Sequence, residues 1–160
     1  MSSRTWSDQL VLLIGQWFYT GRARYAPGTV GSLGAIPLFL LARDGSKLSY
    51  WTLTLVVSLL GIYVSDRCAL ILEDKDPSSV VIDEVAGVLI ALGCVAHGPN
   101  WLLGVAWILF RLLDITKPWL IDRAQYLKPA GLGIMADDLL AGLCAGGLAW
   151  GISLGWATIS

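Results

Sequence analysis

An all-α, polytopic membrane bundle is the fold class this sequence predicts, and three observations carry that expectation. Mean hydropathy is +0.67, and 56% of the 160 residues are hydrophobic. Only 14% are charged, against about 25% in ordinary soluble domains. Apolar stretches also recur at lengths near the ~20 residues that cross ~30 Å of hydrocarbon. About five such helical segments are expected, plus an N-terminal interfacial helix, in one domain. The same composition excludes a disordered chain and a nucleic-acid binder, since 12 acids nearly balance 11 bases. Cys68, Cys94 and Cys144 form no CxxC pair and are read as buried structural thiols, not a disulfide framework.

The elements follow in order. Residues 1–26 are read as the interfacial segment. Its apolar run, Leu10–Thr20, is too short to span as a helix, and no small-residue cleavage site follows it. Residues 27–160 are read as the helical bundle. Its entry, Pro27-Gly28-Thr29-Val30-Gly31-Ser32-Leu33, is a glycine-rich turn into a helix. Thr29 or Ser32 can cap that helix, and its free N–H groups make an anion site. The first apolar segment, Thr29–Ala42, is short and holds Pro37. Leu48–Ser65, Ser79–Ala96 and Asn100–Thr116 are also expected to span, the first two of them near the lower length limit. Asp138–Ile159 has no charge after its first residue and is long enough to cross.

If all five segments span, the bases sort by side. Arg4, Arg22, Arg24, Arg67, Lys75, Lys117, Arg123 and Lys128 share one side; Arg43 and Lys47 take the other. The rule that cytoplasmic loops are basic puts the N-terminus and the two long loops inside. Trp51, Trp101 and Trp156 then fall near the outer boundary, where indoles prefer to sit. The sole histidine, His97, falls in an outer loop, which argues against a histidine nucleophile at the inner face. Asp74-Lys75-Asp76 is superficially similar to an Asp-x-Asp phosphatase nucleophile. That chemistry needs the end of a strand in a parallel sheet, and no βα alternation exists here, so the stretch reads as a charged loop.

The acids say more by position than by number. Asp83 and Glu84 lie one turn inside the third segment; Arg111 and Asp114 lie at the inner end of the fourth; Asp137 and Asp138 open the fifth. Arg111, Asp114 and Lys117 share a face if the helix continues to Pro118. All five carboxylates therefore meet the same cytoplasmic boundary. A charge within a membrane costs roughly 2.5–3.5 kcal/mol on insertion scales and persists when paired or functional. Five negative groups face two positive ones, and the surplus suits one or two divalent cations. Hard oxygen donors favour Mg²⁺. Helix capping by Asp137 and Asp138, or a simple Arg111–Asp114 pair, is the structural alternative.

Four blocks in order then resemble the phosphatidylglycerophosphatase A family. They are Pro27–Leu33; Ile82-Asp83-Glu84 with Gly87; Phe110-Arg111-Leu112-Leu113-Asp114-Ile115-Thr116-Lys117-Pro118-Trp119; and Gly131-Leu132-Gly133-Ile134-Met135-Ala136-Asp137-Asp138 with Ala141-Gly142. Leu120 and Gln125 depart from the family pattern, which leads one to expect a proline and an acid. The resemblance implies an all-helical, Mg²⁺-dependent lipid phosphatase of the bacterial inner membrane, multi-pass, with its site on the cytoplasmic side. It implies hydrolysis of phosphatidylglycerophosphate to phosphatidylglycerol and phosphate. Asp83, Glu84, Asp114, Asp137 and Asp138 are the expected metal-binding and catalytic residues, with water attack on phosphorus. Arg111, Lys117, Thr29 and Ser32 are the expected phosphate binders, with Arg22 or Arg24 as further candidates. The rival readings are a phosphatase for another lipid phosphate and a cation-binding transporter. A transporter would spread its acids through the membrane depth, and here they collect at one boundary.

Overall fold

The computed structural model describes residues 5–157, which contain helices and turns and no strand. Arg4 and the end of the fifth apolar segment at Ile159 lie outside the described residues. The order is α1 (Trp6–Gly15), a 3-10 turn (Thr20–Arg22), α2 (Pro27–Arg43), α3 (Lys47–Leu72), α4 (Ile82–Cys94), α5 (Asn100–Thr116), α6 (Leu120–Ala124) and α7 (Ala130–Ala157).

Thr5 and Asp8 form a reciprocal capping box that starts α1. This helix packs on α3, with Gly15 close enough that a Cβ there would stand 2.6 Å from Cys68 Sγ. Trp17, Phe18 and Tyr19 all take positive φ and turn the chain back toward α2. The Trp17 indole donates to Gly34 O at 2.9 Å and holds that turn in place.

The middle of the bundle is α4, where every residue from Val85 to Leu92 is buried. It is packed by α2, α3, α5 and α7. Its 13 residues rise only about 20 Å, short of the ~30 Å hydrocarbon layer. The segment 79–96 is therefore not helical throughout. Its start is tied down by Val81 N–H donating to Gly15 O at 2.9 Å and by Gln16 donating to Ser79 Oγ at 3.3 Å. Asp83 and Glu84 consequently fall in the first turn of α4 instead of one turn inside a span.

Two helices, α3 and α7, are long and apolar enough to cross a membrane. Their most apolar stretches are only 39% and 28% buried, whereas a core helix of a soluble protein would be mostly covered. Leu55 and Leu59 on α3, and Leu148 and Ile152 on α7, stand exposed. At 17 residues each, α2 and α5 fall short of that length. Among the described residues, two candidate spans thus stand where about five were expected. Hydropathy registers apolar residues alike, whether they face lipid or another helix.

The sequence places the start of the last helix at Asp138, but α7 begins at Ala130. The reason is packing. Gly131 donates its N–H to Asp66 Oδ1 at 3.2 Å, and a Cβ on it would stand 2.6 Å from Asp66 N. Glycines that suggest a loop by propensity serve here as contacts. Farther along, α7 crosses α4 with backbones touching. A Cβ on Gly87 would stand 2.7 Å from Asp138 O, and one on Gly142 would run into Gly87 O.

Candidate active site

A cavity of about 960 Å³ opens where α2, α4 and α7 begin and α5 ends. Asp83, Glu84, Arg111, Asp114, Lys117, Asp137 and Asp138 all line it. Seven of the residues singled out in the sequence are thus brought together from three helices and a helix cap.

The acids divide into two kinds. Asp83, Glu84 and Asp138 each offer one oxygen, and these oxygens all lie within 4.8 Å of one another. Glu84 Oε2 and Asp138 Oδ2 are buried with no hydrogen-bond partner. Ionised carboxylates this close repel strongly away from bulk water, so the group calls for a cation or for protons. An all-oxygen set with free buried lone pairs fits Mg²⁺. One atom of Asp83 is already used, since its Oδ1 accepts from Glu84 N–H at 2.9 Å.

The other two acids are matched with bases. Asp114 pairs with Arg111 one turn away on α5. Arg111 Nη2 also reaches Thr29 Oγ1 at 3.4 Å, and its Nε is buried without a partner. Lys117 pairs with Asp137 at 2.5 Å. The shared face expected for Arg111, Asp114 and Lys117 does not form, because α5 ends at Thr116. Pro118 has no N–H with which to continue the helix, and Lys117 turns left-handed (φ 41°) as its cap. That turn sends the ammonium across to α7. Burial opposes its charge, but the hydrogen bond to Asp137 and the negative charge of Asp137, Asp138 and Asp76 together outweigh it and hold the Lys117 pKa above its usual value.

The first turn of α2 forms another wall, through Pro27 and Gly28. A Cβ on Gly28 would collide with Glu84 Oε1 and stand 3.3 Å from Arg111 Nη2. Glycine at this position lets the Glu84 carboxylate come against the backbone, and a larger residue would push that carboxylate aside. Val30 is the residue whose N–H closes the first turn, onto Ala26 O. The N–H groups of Gly28 and Thr29 therefore have no acceptor within the helix and point out of its end, an arrangement suited to an anion.

Some expected groups lie elsewhere. Ser32 is wholly buried; its Oγ donates to Thr29 O at 2.8 Å and accepts from Trp107 Nε1 at 3.2 Å. Neither Ser32 nor Thr29 lines the cavity. Arg22 is held by Gln16 Oε1 at 2.7 Å and lies over the Tyr19 ring, while Arg24 lies over Tyr25. Asp137 and Asp138 sit about two turns inside α7, so they do not cap it. Other lining residues were not foreseen: Lys75, Gln125, Tyr126 and Lys128. The two lysines entered the sequence argument as topology markers, and Lys75 also as part of a charged loop. Their place beside the acids depends on how two loops fold back.

The profile of the phosphatidylglycerophosphatase A family matches residues 13–153. The chain belongs to that family. Phosphatidylglycerophosphatase A of Escherichia coli is 33% identical over 147 residues, covering 90% of this chain and 84% of the relative. The Haemophilus influenzae protein of the same name is 35% identical over 136 residues, covering 83% and 82%. A Bacteroides thetaiotaomicron protein, provisionally named a phosphatidylinositol-3-phosphatase, is 38% identical over 146 residues, covering 84% and 87%. No solved structure matches the chain at comparable stringency. Every charged residue in the blocks that suggested the phosphatidylglycerophosphatase A family from sequence lines the cavity, and Gly87 and Gly142 make the crossing behind it.

Proposed function

We propose that this chain is an Mg²⁺-dependent phosphatase that hydrolyses phosphatidylglycerophosphate to phosphatidylglycerol and inorganic phosphate. The observation that carries the reading is the unmatched trio Asp83, Glu84 and Asp138 beside a base-rich wall in one cavity. Mg²⁺ held by that trio would supply Lewis acidity and neutralise charge on the phosphoryl oxygens. Arg111, oriented by Asp114, and the N–H groups opening α2 bind the phosphomonoester. Lys117, oriented by Asp137, adds a second cation. Thr29 acts through Arg111, and Ser32 supports the turn behind them.

The volume exceeds what one phosphate fills. Phosphatidylglycerophosphate also carries a phosphodiester, and Lys75 and Lys128 are the bases left to read it. In the membrane, α3 and α7 pack on each other and cross the bilayer, with the shorter α2, α4 and α5 packed against this pair and one another. The basic loops support a cavity on the cytoplasmic face of the bacterial inner membrane.

A second reading is favoured by the Bacteroides relative: phosphatidylinositol 3-phosphate also combines a diester with a monoester. Phosphate release from both lipids, with and without Mg²⁺, separates the two. Rapid release from phosphatidylglycerophosphate that stops on chelation supports the first; selective release from the inositol lipid supports the second. A folded protein releasing phosphate from neither overturns both. Lys75→Gln with Lys128→Gln should raise KM for phosphatidylglycerophosphate severalfold with kcat nearly unchanged. KM for phosphatidate, which lacks the diester, should hardly move.

A further inference from the structure

Arg43, Lys47 and His97 play no part in the proposed reaction, yet the fold brings them together. They line a separate cavity of about 240 Å³ at the other end of α4. Arg43 is in the last turn of α2, Lys47 opens α3, and His97 follows α4. The 13 residues of α4 place this cavity about 20 Å from the carboxylates. Arg43 and Lys47 are the two bases that the topology argument left alone on the outer side.

The charge here is lopsided. The nearby acid is Asp44, whose side chain is 89% exposed and 3.7 Å from Arg43 Nε. Lys47 occupies the first position of α3, where the helix dipole disfavours a cation, and no acid lies in that first turn. A cation in that position, beside a second cation and an imidazole, is poised to receive an anion. Ser46 Oγ caps α3 by accepting from Ser49 N–H at 3.0 Å, which leaves the N–H groups of Lys47 and Leu48 at the end of the helix.

The floor of the cavity is built rigidly. Tyr50 donates its hydroxyl to Leu89 O at 2.6 Å and meets Trp51 edge to face at 5.5 Å. Gly93 makes room for both rings, since a Cβ there would stand 2.5 Å from Tyr50 Cε1 and 3.0 Å from Trp51 Cη2. Trp51 is itself 40% exposed. An indole beside bases at the start of a candidate span is the setting in which a lipid headgroup meets protein.

We infer that Arg43, Lys47 and His97 form a second anion site for a phosphate group, distinct from the carboxylate cavity and independent of the proposed reaction. The group is either the phosphodiester of an anionic phospholipid headgroup or free phosphate. His97 is the one histidine in the sequence, so its ring is a unique reporter.

The test uses full-length protein in detergent, with isotope-labelled histidine and no histidine tag, observed by NMR. Short-chain phosphatidylglycerol, short-chain phosphatidylcholine and inorganic phosphate are titrated separately. A saturable His97 shift with phosphatidylglycerol, weak with phosphatidylcholine, assigns the lipid headgroup. A saturable shift with inorganic phosphate alone assigns the free anion. Lys47→Gln should weaken the affinity severalfold, and Arg43→Gln with Lys47→Gln tenfold or more. Asp138→Asn, altered at the far cavity, should leave the affinity unchanged. No saturable shift with either anion, an equal shift with phosphatidylcholine, or unchanged affinity in both lysine variants overturns the site.

Discussion

Asp138→Asn should remove the proposed Mg²⁺-dependent phosphate release, by more than ~100-fold, in a protein that still folds. Asparagine matches the shape of aspartate but donates through its amide and carries no charge. Asp138 belongs to the trio, and its Oδ2 is buried with no partner. Without Mg²⁺, the wild-type site holds carboxylates that repel one another. The substitution relieves that repulsion, so thermal stability in chelator should hold or rise as activity disappears. Mg²⁺ should raise the melting temperature of the wild type and do much less for the variant. Asp83→Asn should behave alike. Phosphate assays and thermal melts with and without Mg²⁺ check both variants. Wild-type turnover in Asp138→Asn, or a full Mg²⁺ stabilisation without activity, would sink the proposed ligand set.

Gly142→Ala should destabilise the bundle by roughly 1–3 kcal/mol and reduce turnover with it. Its new methyl would meet the Gly87 carbonyl, a backbone atom that cannot swing aside. Gly87→Ala should cost a similar amount, through Phe110 and Asp138 O. Because both changes press on one crossing, the double variant should depart from additivity. The crossing is also what brings Asp138 to Asp83 and Glu84, so the trio spreads as the helices part. Gly147 lies on the same helix with open space around it. Gly147→Ala should be neutral or stabilising by up to ~1 kcal/mol through helix propensity. Melting curves and phosphate assays on the three single variants check the contrast. Equal losses in Gly147→Ala and Gly142→Ala would remove the crossing as the cause.

Much of the site is legible in the chain itself. Asp83 and Glu84 in an apolar run, and Asp114 close to Arg111, are costly where they stand unless they meet something. Counting segments brings them to one boundary, and the cavity collects them there. The partition among the acids is not legible. Five against two suggests a shared surplus, but Asp114 and Asp137 each take a base, and the surplus falls on Asp83, Glu84 and Asp138. That partition depends on Lys117 leaving its helix, a turn set by Pro118 and completed by a carboxylate twenty residues on. Ser32 has the right chemistry and a plausible spacing, yet its hydroxyl is taken by Trp107 and Thr29.

What the sequence determined by itself was class and chemistry: an all-helical apolar chain with a specific set of acids and bases at helix ends. Those follow from local properties, since hydropathy, helix-compatible spacing and charge are carried by residues one at a time or in short runs. Only the tertiary structure decided which apolar helices face outward, where α7 begins, and which carboxylates stand without a base. Each of these depends on an approach between distant segments, such as Gly131 on Asp66, Gly142 on Gly87 or Gly28 on Glu84. A glycine reads the same in sequence whether it opens a loop or admits a neighbouring backbone. Only the neighbour tells them apart.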